Sequence, residues 1–143
     1  MTIILIGILT ISAGALFLNP SALNALAVRD QLLAAVQQAQ LTALSNGLPV
    51  RLTLSQTATD WQLVTVLAPG TAQAQEVQRQ QYDRDQASLS VNGANLGNGA
   101  SWIQTFSSQG DVPSRQQLLF NSGSSYALCL ASSGYAYSGN CQP

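Results

Sequence analysis

The sequence contains no histidine and no lysine, and it has few charged side chains of any kind. Asp, Glu and Arg make up 8% of the 143 residues, and the net charge is −1. The missing histidine excludes imidazole metal sites and Ser-His-Asp or Cys-His catalytic centres, and the missing lysine excludes lysine chemistry. With these residue types missing and no motif that favours other chemistry, we expect no enzyme, no cofactor, no metal ion and no small-molecule substrate.

The five arginines are too dispersed to bind nucleic acid. Neutralising a phosphate backbone requires a clustered cationic face. Arg79 and Arg84 are near neighbours, but Asp83 and Asp85 offset them. No nucleic-acid partner is expected.

The sequence has two cysteines, Cys129 and Cys141, with eleven residues between them. In an oxidising compartment a disulfide would close this short loop and hold the C-terminus in place. Two unpaired thiols remain the alternative for a protein in a reducing compartment.

The first eighteen residues carry no charge and are mostly apolar. This length is near the lower limit for a membrane span, about 17 residues. A cleavable export signal ending at Ala25-Leu26-Ala27 is a second interpretation, but no basic residue precedes the run, which exceeds the usual signal core. A third, which the residues favour, is that the chain lacks its beginning and Met1 is internal. The predicted membrane and assembly residues are Ile3, Ile4, Leu5, Ile6, Gly7, Ile8, Leu9, Leu16, Phe17 and Leu18.

A helical repeat follows this apolar segment. Asn19-Pro20 either begins a new helix or bends a continuous one, and Asn46-Gly47 with Pro49 ends it. Two adjacent rows form a broad, mostly apolar stripe. One row contains Ala22, Leu26, Arg29, Leu33, Val36 and Gln40, and the other contains Leu32, Ala35, Ala39 and Ala43. The opposite face carries Asp30, Gln31, Gln37, Gln38 and Thr42.

After Pro49 the apolar period changes to two, which predicts β-strands. Val50–Leu54 and Trp61–Val66 form a predicted hairpin. Residues 68–86 are predicted as a loop, with a helical turn at Glu76–Arg84. Further strands are predicted at Ala87–Val91, Trp102–Phe106, Gln117–Phe120, Tyr126–Ala131 and Tyr135–Tyr137. The chain thus divides into a membrane or filament-core helix (1–20), an amphipathic helix (21–46) and a β-rich head (50–143).

Two possible sites in the head are less favoured than structural roles. Asp83 and Asp85 could bind Ca²⁺ with Asn92, but a solvated loop is the simpler interpretation. Five aromatic side chains could form a sugar-stacking surface, although core packing accounts better for most of them. These are Trp61, Trp102, Tyr126, Tyr135 and Tyr137.

The run Ile3–Leu9, with small residues Ser12 to Ala15 after it, resembles the N-terminal helix of type IV pilins and type II secretion pseudopilins. Val28–Leu41, followed by Ala43–Leu52, is similar to H-type minor pseudopilins and to FimT-like and mannose-sensitive haemagglutinin minor pilins. The resemblance covers about residues 3–55. The family's leader, its Phe and its Glu are expected upstream of Met1.

The resemblance implies an α+β fold in which a long N-terminal helix, membrane stem plus amphipathic half, packs on an antiparallel β-sheet head. It implies a minor pilin or pseudopilin subunit that contacts other such subunits through the N-terminal helix. The subunit would be a single-pass protein of the bacterial inner membrane with its head in the periplasm, and later part of a filament. An exported ligand-binding or adhesive module released by signal cleavage is the alternative.

Overall fold

The computed structural model describes residues 20–142, with side chains from residue 25 onward. Helix α1 spans Pro20–Asn46. Gly47 follows in the left-handed conformation, with φ 63°, and its N–H donates to the carbonyl of Ala43 at 2.9 Å. This is the glycine-capped helix end that Asn46-Gly47 predicts, because glycine adopts positive φ without a Cβ clash.

Nine strands follow the helix within the described residues. They are β1 (Val50–Gln56), β2 (Asp60–Leu67), β3 (Gln75–Asp83), β4 (Ser88–Val91), β5 (Ala94–Asn95), β6 (Ser101–Phe106), β7 (Gln116–Asn121), β8 (Ser125–Leu130) and β9 (Ala136–Ser138). The predicted strands are confirmed within one or two residues at their ends. The short strand β5 lies in the glycine-rich segment between two of the predicted strands, where a connection without a strand is the sequence-based expectation.

The strands form two antiparallel sheets rather than one. Sheet one has the order β3-β2-β1-β6, and sheet two has the order β5-β4-β7-β8-β9. The chain passes from sheet one to sheet two through the β3–β4 turn, where Asp85 and Gln86 both have positive φ. Helix α1 contacts strands of both sheets. The predicted α+β class, a helix packed on antiparallel sheet structure, is confirmed.

The prediction of a loop with a helical turn at residues 68–86 was wrong for β3. This strand pairs with β2 from Asp60↔Asp83 to Leu67↔Gln75, with a register shift between Thr65 and Val66. Its sequence hides the strand because the residues facing both sides are mostly polar. Backbone pairing to a neighbour stabilises such a strand without an apolar alternation, which is the pattern that identifies half-buried strands.

The core lies between helix α1 and the inner faces of both sheets. Alternate residues of β1 and β2 are buried, including Leu52, Leu54 and Leu63. Trp61 of sheet one meets Phe120 of sheet two edge to face, with ring centroids 5.4 Å apart. This aromatic pair joins the two sheets beneath the helix.

Candidate assembly surface

The predicted membrane and assembly residues, Ile3 to Leu18, lie outside the described residues. Within residues 20–142, no helix combines the length and apolar character needed to cross a membrane. The candidate surface that the structure does describe is helix α1, together with the contacts through which the head holds it.

The inward face of α1 is a continuous apolar stripe. Its buried residues are Ala25, Val28, Leu32, Ala35, Val36, Ala39 and Ala43. The predicted row through Leu32 and Ala43 is therefore buried. The neighbouring predicted row is only partly buried, because Arg29, Leu33 and Gln40 lie half-buried at the border of the stripe. The helix is rotated toward the row of small residues, which allows its backbone to approach both sheets closely.

The sequence predicts a polar face on the opposite side of α1, but this side also carries exposed apolar residues. Leu41 is 65% exposed and Leu44 is 50% exposed. These leucines extend a row of exposed residues spaced alternately by three and four, which we name the outward seam: Ala27, Asp30, Ala34, Gln37, Leu41 and Leu44. Alternating spacings of three and four are the repeat through which two helices pack side by side. This heptad spacing was present in the sequence, but the stronger inward stripe obscured it.

Two polar side chains of α1 attach the helix to sheet two. The Arg29 guanidinium bonds to Asp30 at 2.7 Å and donates to the carbonyl of Ala127 at 3.3 Å. Its Cζ lies 6.0 Å from the ring centroid of Tyr126. Three turns later, Gln40 Nε2 donates to the carbonyls of Gly110 at 3.2 Å and Ser133 at 3.1 Å. Both residues bond to backbone carbonyls at the border of the buried stripe, so they support the rotation of the helix that this stripe sets, and hence the direction of the outward seam.

The loops under Gln40 approach so closely that they require glycine. A Cβ on Gly134 would lie 1.9 Å from the Gly110 carbonyl oxygen, and one on Gly110 would lie 3.1 Å from Leu44 Cγ. Both glycines also have positive φ. The packing thus connects Leu44 of the seam to the β6–β7 loop and the β8–β9 turn.

The disulfide between Cys129 and Cys141 is formed. It secures the last residues of the chain to β8, and neighbouring hydrogen bonds assist it. Gln142 N donates to the Tyr137 hydroxyl at 3.0 Å, and Arg115 donates to the Gln142 carbonyl at 2.6 Å. The C-terminal segment is therefore fixed to sheet two at several points.

Two of the candidate Ca²⁺ ligands, Asp83 and Asn92, accept hydrogen bonds from backbone N–H groups. Asn92 Oδ1 accepts from Gln117 N at 2.8 Å, so this side chain is held by sheet two. Asp83 accepts from the Asp85 backbone N–H at 3.1 Å. Among residues 20–142, no group of three or more His, Cys, Asp or Glu side chains is arranged to hold a metal ion.

The five aromatic candidates do not share one surface. Trp61 is fully buried and Trp102 is 5% exposed, so both belong to the core. Tyr126 lies under Arg29. Tyr135 and Tyr137 stack on each other at 5.9 Å, and Tyr135 is exposed. A common stacking platform of all five is therefore absent from the described head.

Charge in the head is locally paired on β3. Arg79 and Glu76 form a two-point ion pair, with Nε–Oε1 at 2.7 Å and Nη2–Oε2 at 2.9 Å. The hydrogen bond from Arg79 lowers the pKa of Glu76, and the same contact raises the pKa of Arg79. Burial raises the pKa of the neighbouring Tyr82 hydroxyl.

Comparison with known families agrees with this architecture. The family described as type II transport protein GspH matches residues 29–135, which is more than half of the chain. The chain belongs to the GspH family. The matched region begins in α1 at Arg29 and ends in the β8–β9 turn at Tyr135, so it includes the helix from Arg29 onward, strands β1 to β8 and the loops between them.

Solved structures share the fold of this GspH-family chain. Two crystal structures of the type IV minor pilin FimU from Pseudomonas aeruginosa superpose with TM-scores of 0.59 and 0.55, each at 16% sequence identity. They cover 79% of this chain and 86% and 90% of their own chains, respectively. A comparison with curated protein sequences finds no match. The predicted membership of the pilin and pseudopilin family is confirmed.

Proposed function

We propose that this GspH-family chain is a minor pilin or pseudopilin-like structural subunit of a type IV pilus or type II secretion filament. Residues 1–20 anchor it in the inner membrane before assembly, with the head in the periplasm. It packs against other subunits through its N-terminal helix, first with Ile3–Leu18 and then with the outward seam. The role requires no catalysis.

The outward seam is the observation that carries this proposal. A helix that served only as a cover for the two sheets would bury one stripe and expose polar residues on the other side. Here two leucines are at least half exposed, next to the exposed alanines Ala27 and Ala34. Fully burying a leucine contributes about 1.5–3 kcal/mol, so covering these partly exposed side chains with a neighbouring helix would favour assembly.

The buried N-terminal part of α1 favours a retained helix over a cleaved signal. Ala25 is fully buried and Val28 is 2% exposed, both within the core that α1 shares with the sheets. Cleavage after Ala27 would remove Ala25 from that core. The alternative function, an exported ligand-binding or adhesive module, requires such a cleavage.

The proposal is tested by following the chain into filaments in the producing cell. We would replace Leu41 and Leu44 together by Gln and compare sheared filament and membrane fractions with the unmodified chain. Ile103→Gln is the matched control, because Ile103 is 57% exposed and lies on the outer face of β6, opposite the buried residues that face the core. We expect the seam variant to remain in the membrane and to be depleted from filaments, and the control to be incorporated.

Equal incorporation of the seam and control variants would contradict a role for the seam. Absence of the unmodified chain from every filament fraction would contradict the function itself. Mass spectrometry of the native N-terminus separates the alternative. A mature terminus at Val28 would identify a released module, whereas a methylated Phe upstream of Met1 would identify a processed subunit.

A further inference from the structure

Strand β3 forms an open edge of sheet one. With nine residues it is the longest of the described strands, and its only described strand partner is β2. Six of its residues are exposed and the other three are half-buried. The strand contains no proline. It does carry charged side chains and a bulge, which disfavour pairing with unrelated strands, so a partner strand must complement both. The outer backbone groups of β3 have no strand partner among the described residues.

A bulge in β3 sets the direction of its charges. Residues three apart in a regular strand point to opposite faces. In β3, Val66 pairs with Glu76 and Thr65 pairs with Gln78, which leaves Val77 as the extra residue. The bulge thus brings Glu76 to the same face as Arg79, and this allows their ion pair.

This arrangement is self-complementary across a two-fold axis. When β3 meets an antiparallel copy of itself with Val77 opposite the copy's Gln78, Glu76 lies opposite the copy's Arg79, and the reverse pair forms at the same time. In each strand, Val77 and Gln78 separate the two charged residues. The two bulges therefore lie opposite each other, and both charged pairs form in the same register. Unlike charges directly opposite in an antiparallel pair are stabilising, and like charges are destabilising.

We propose that β3 is a homotypic docking edge, at which the β3 strands of two copies of this chain pair antiparallel and join two four-stranded sheets into one of eight strands. The paired side chains are Glu76 of one copy and Arg79 of the other, on both sides of the axis. The contact is isologous, since each copy offers the same surface. It is independent of the outward seam and of the filament role proposed above.

Charge-swapped copies of the full chain test this contact. We would measure self-association by sedimentation equilibrium in density-matched detergent for the unmodified chain, Glu76→Arg, Arg79→Glu, the double swap and a mixture of the two single variants. Each single variant places like charges opposite each other in its own dimer, so we expect its association constant to fall by about tenfold or more. In the mixture, unlike charges face each other again at both positions, so association should return to within about threefold of the original. The double swap should behave in the same way.

Arg51→Glu is the matched control. It changes the net charge as Arg79→Glu does and lies on the same sheet, on β1, away from the open edge. It should leave association unchanged.

The proposal would be overturned if the unmodified chain does not associate, if the swaps have no effect, or if the mixture associates as weakly as its components. The last outcome would assign Glu76 and Arg79 to their ion pair within one chain alone, and unchanged association in every swap would indicate contact through another surface, such as Ile3–Leu18 or a different edge.

Discussion

The indole N–H of Trp61 donates a hydrogen bond to Oε1 of Gln56 at 2.9 Å, and both side chains are buried. Gln56 Nε2 donates in turn to the carbonyl of Leu96 at 2.7 Å. One amide thus satisfies a buried donor and a backbone acceptor at the end of the β1–β2 hairpin. Removing this amide would leave the buried indole N–H and the part-buried Leu96 carbonyl without these hydrogen bonds, which costs more than a single exposed bond.

Gln56→Leu should therefore destabilise the head by about 1–3 kcal/mol, as expected when buried polar groups lose their partners. Urea unfolding followed by tryptophan fluorescence measures the change. Gln62→Leu on β2 is the control, since Gln62 is only half-buried, and it should have little effect. Equal losses in the two variants would show that the Gln56 bonds do not matter for stability.

Gly134→Ala should be strongly destabilising, because its Cβ would overlap the Gly110 carbonyl beneath Gln40. Gly123→Ala separates this clash from backbone strain. Its φ of 89° matches the 87° of Gly134, and nothing lies within 4 Å of its added Cβ. The control should lose about 1–2 kcal/mol from the left-handed conformation alone. Gly134→Ala should lose about 1–3 kcal/mol more than the control, because its added methyl group overpacks the contact with Gly110.

Thermal unfolding compares the two glycine variants, and amide exchange in the last turns of α1 reports whether the helix loosens. Similar losses for both would mean that the loops relax around the added methyl group without cost.

Gln86→Gly should stabilise the protein by about 0.5 kcal/mol. Gln86 has φ 64° in the turn between the two sheets, and glycine relieves that strain while losing more entropy on folding. Asn92→Gly is the informative contrast. Asn92 has φ 53°, but its side chain bonds to Gln116 and Gln117. Losing those bonds, at about 1 kcal/mol each, should outweigh the relief and destabilise the head. Chemical unfolding of both variants tests this opposition of sign, and a gain for Asn92→Gly would contradict it.

Replacing both Cys129 and Cys141 by Ala should lower the free energy of unfolding by about 3 kcal/mol, from the chain-entropy estimate for a loop of this length. Arg115→Ala is a control that removes a C-terminal hydrogen bond but leaves the covalent link. It should cost less, because Arg115 is exposed. Unfolding with and without reductant makes the measurement. If reduction leaves the stability of the unmodified protein unchanged, the covalent link contributes nothing measurable.

The sequence by itself determined the local structure with strong signals. Period-two alternation identified β1 and β2, and Asn46-Gly47 identified the end of α1. It also raised the bond between Cys129 and Cys141 as one of two alternatives. The family followed from Ile3–Leu9 and Val28–Leu52, because those segments carry the family's pattern regardless of how the chain folds around them. These features depend on residues that are close together in the chain, so the local sequence is enough to predict them.

The tertiary structure decided what depends on residues far apart in the chain. Polar β3 is a strand because β2 offers it backbone partners, and its bulge brings Glu76 and Arg79 together. Leu41 and Leu44 face outward because the buried stripe from Ala25 to Ala43 packs against both sheets, and Arg29 and Gln40 bond to distant carbonyls at the border of that stripe. Gly134 is required by the approach of Gly110, twenty-four positions earlier in the chain. Periodicity reports which face of an element is apolar, but only packing selects the face that is covered, because burial depends on what the rest of the chain brings against it.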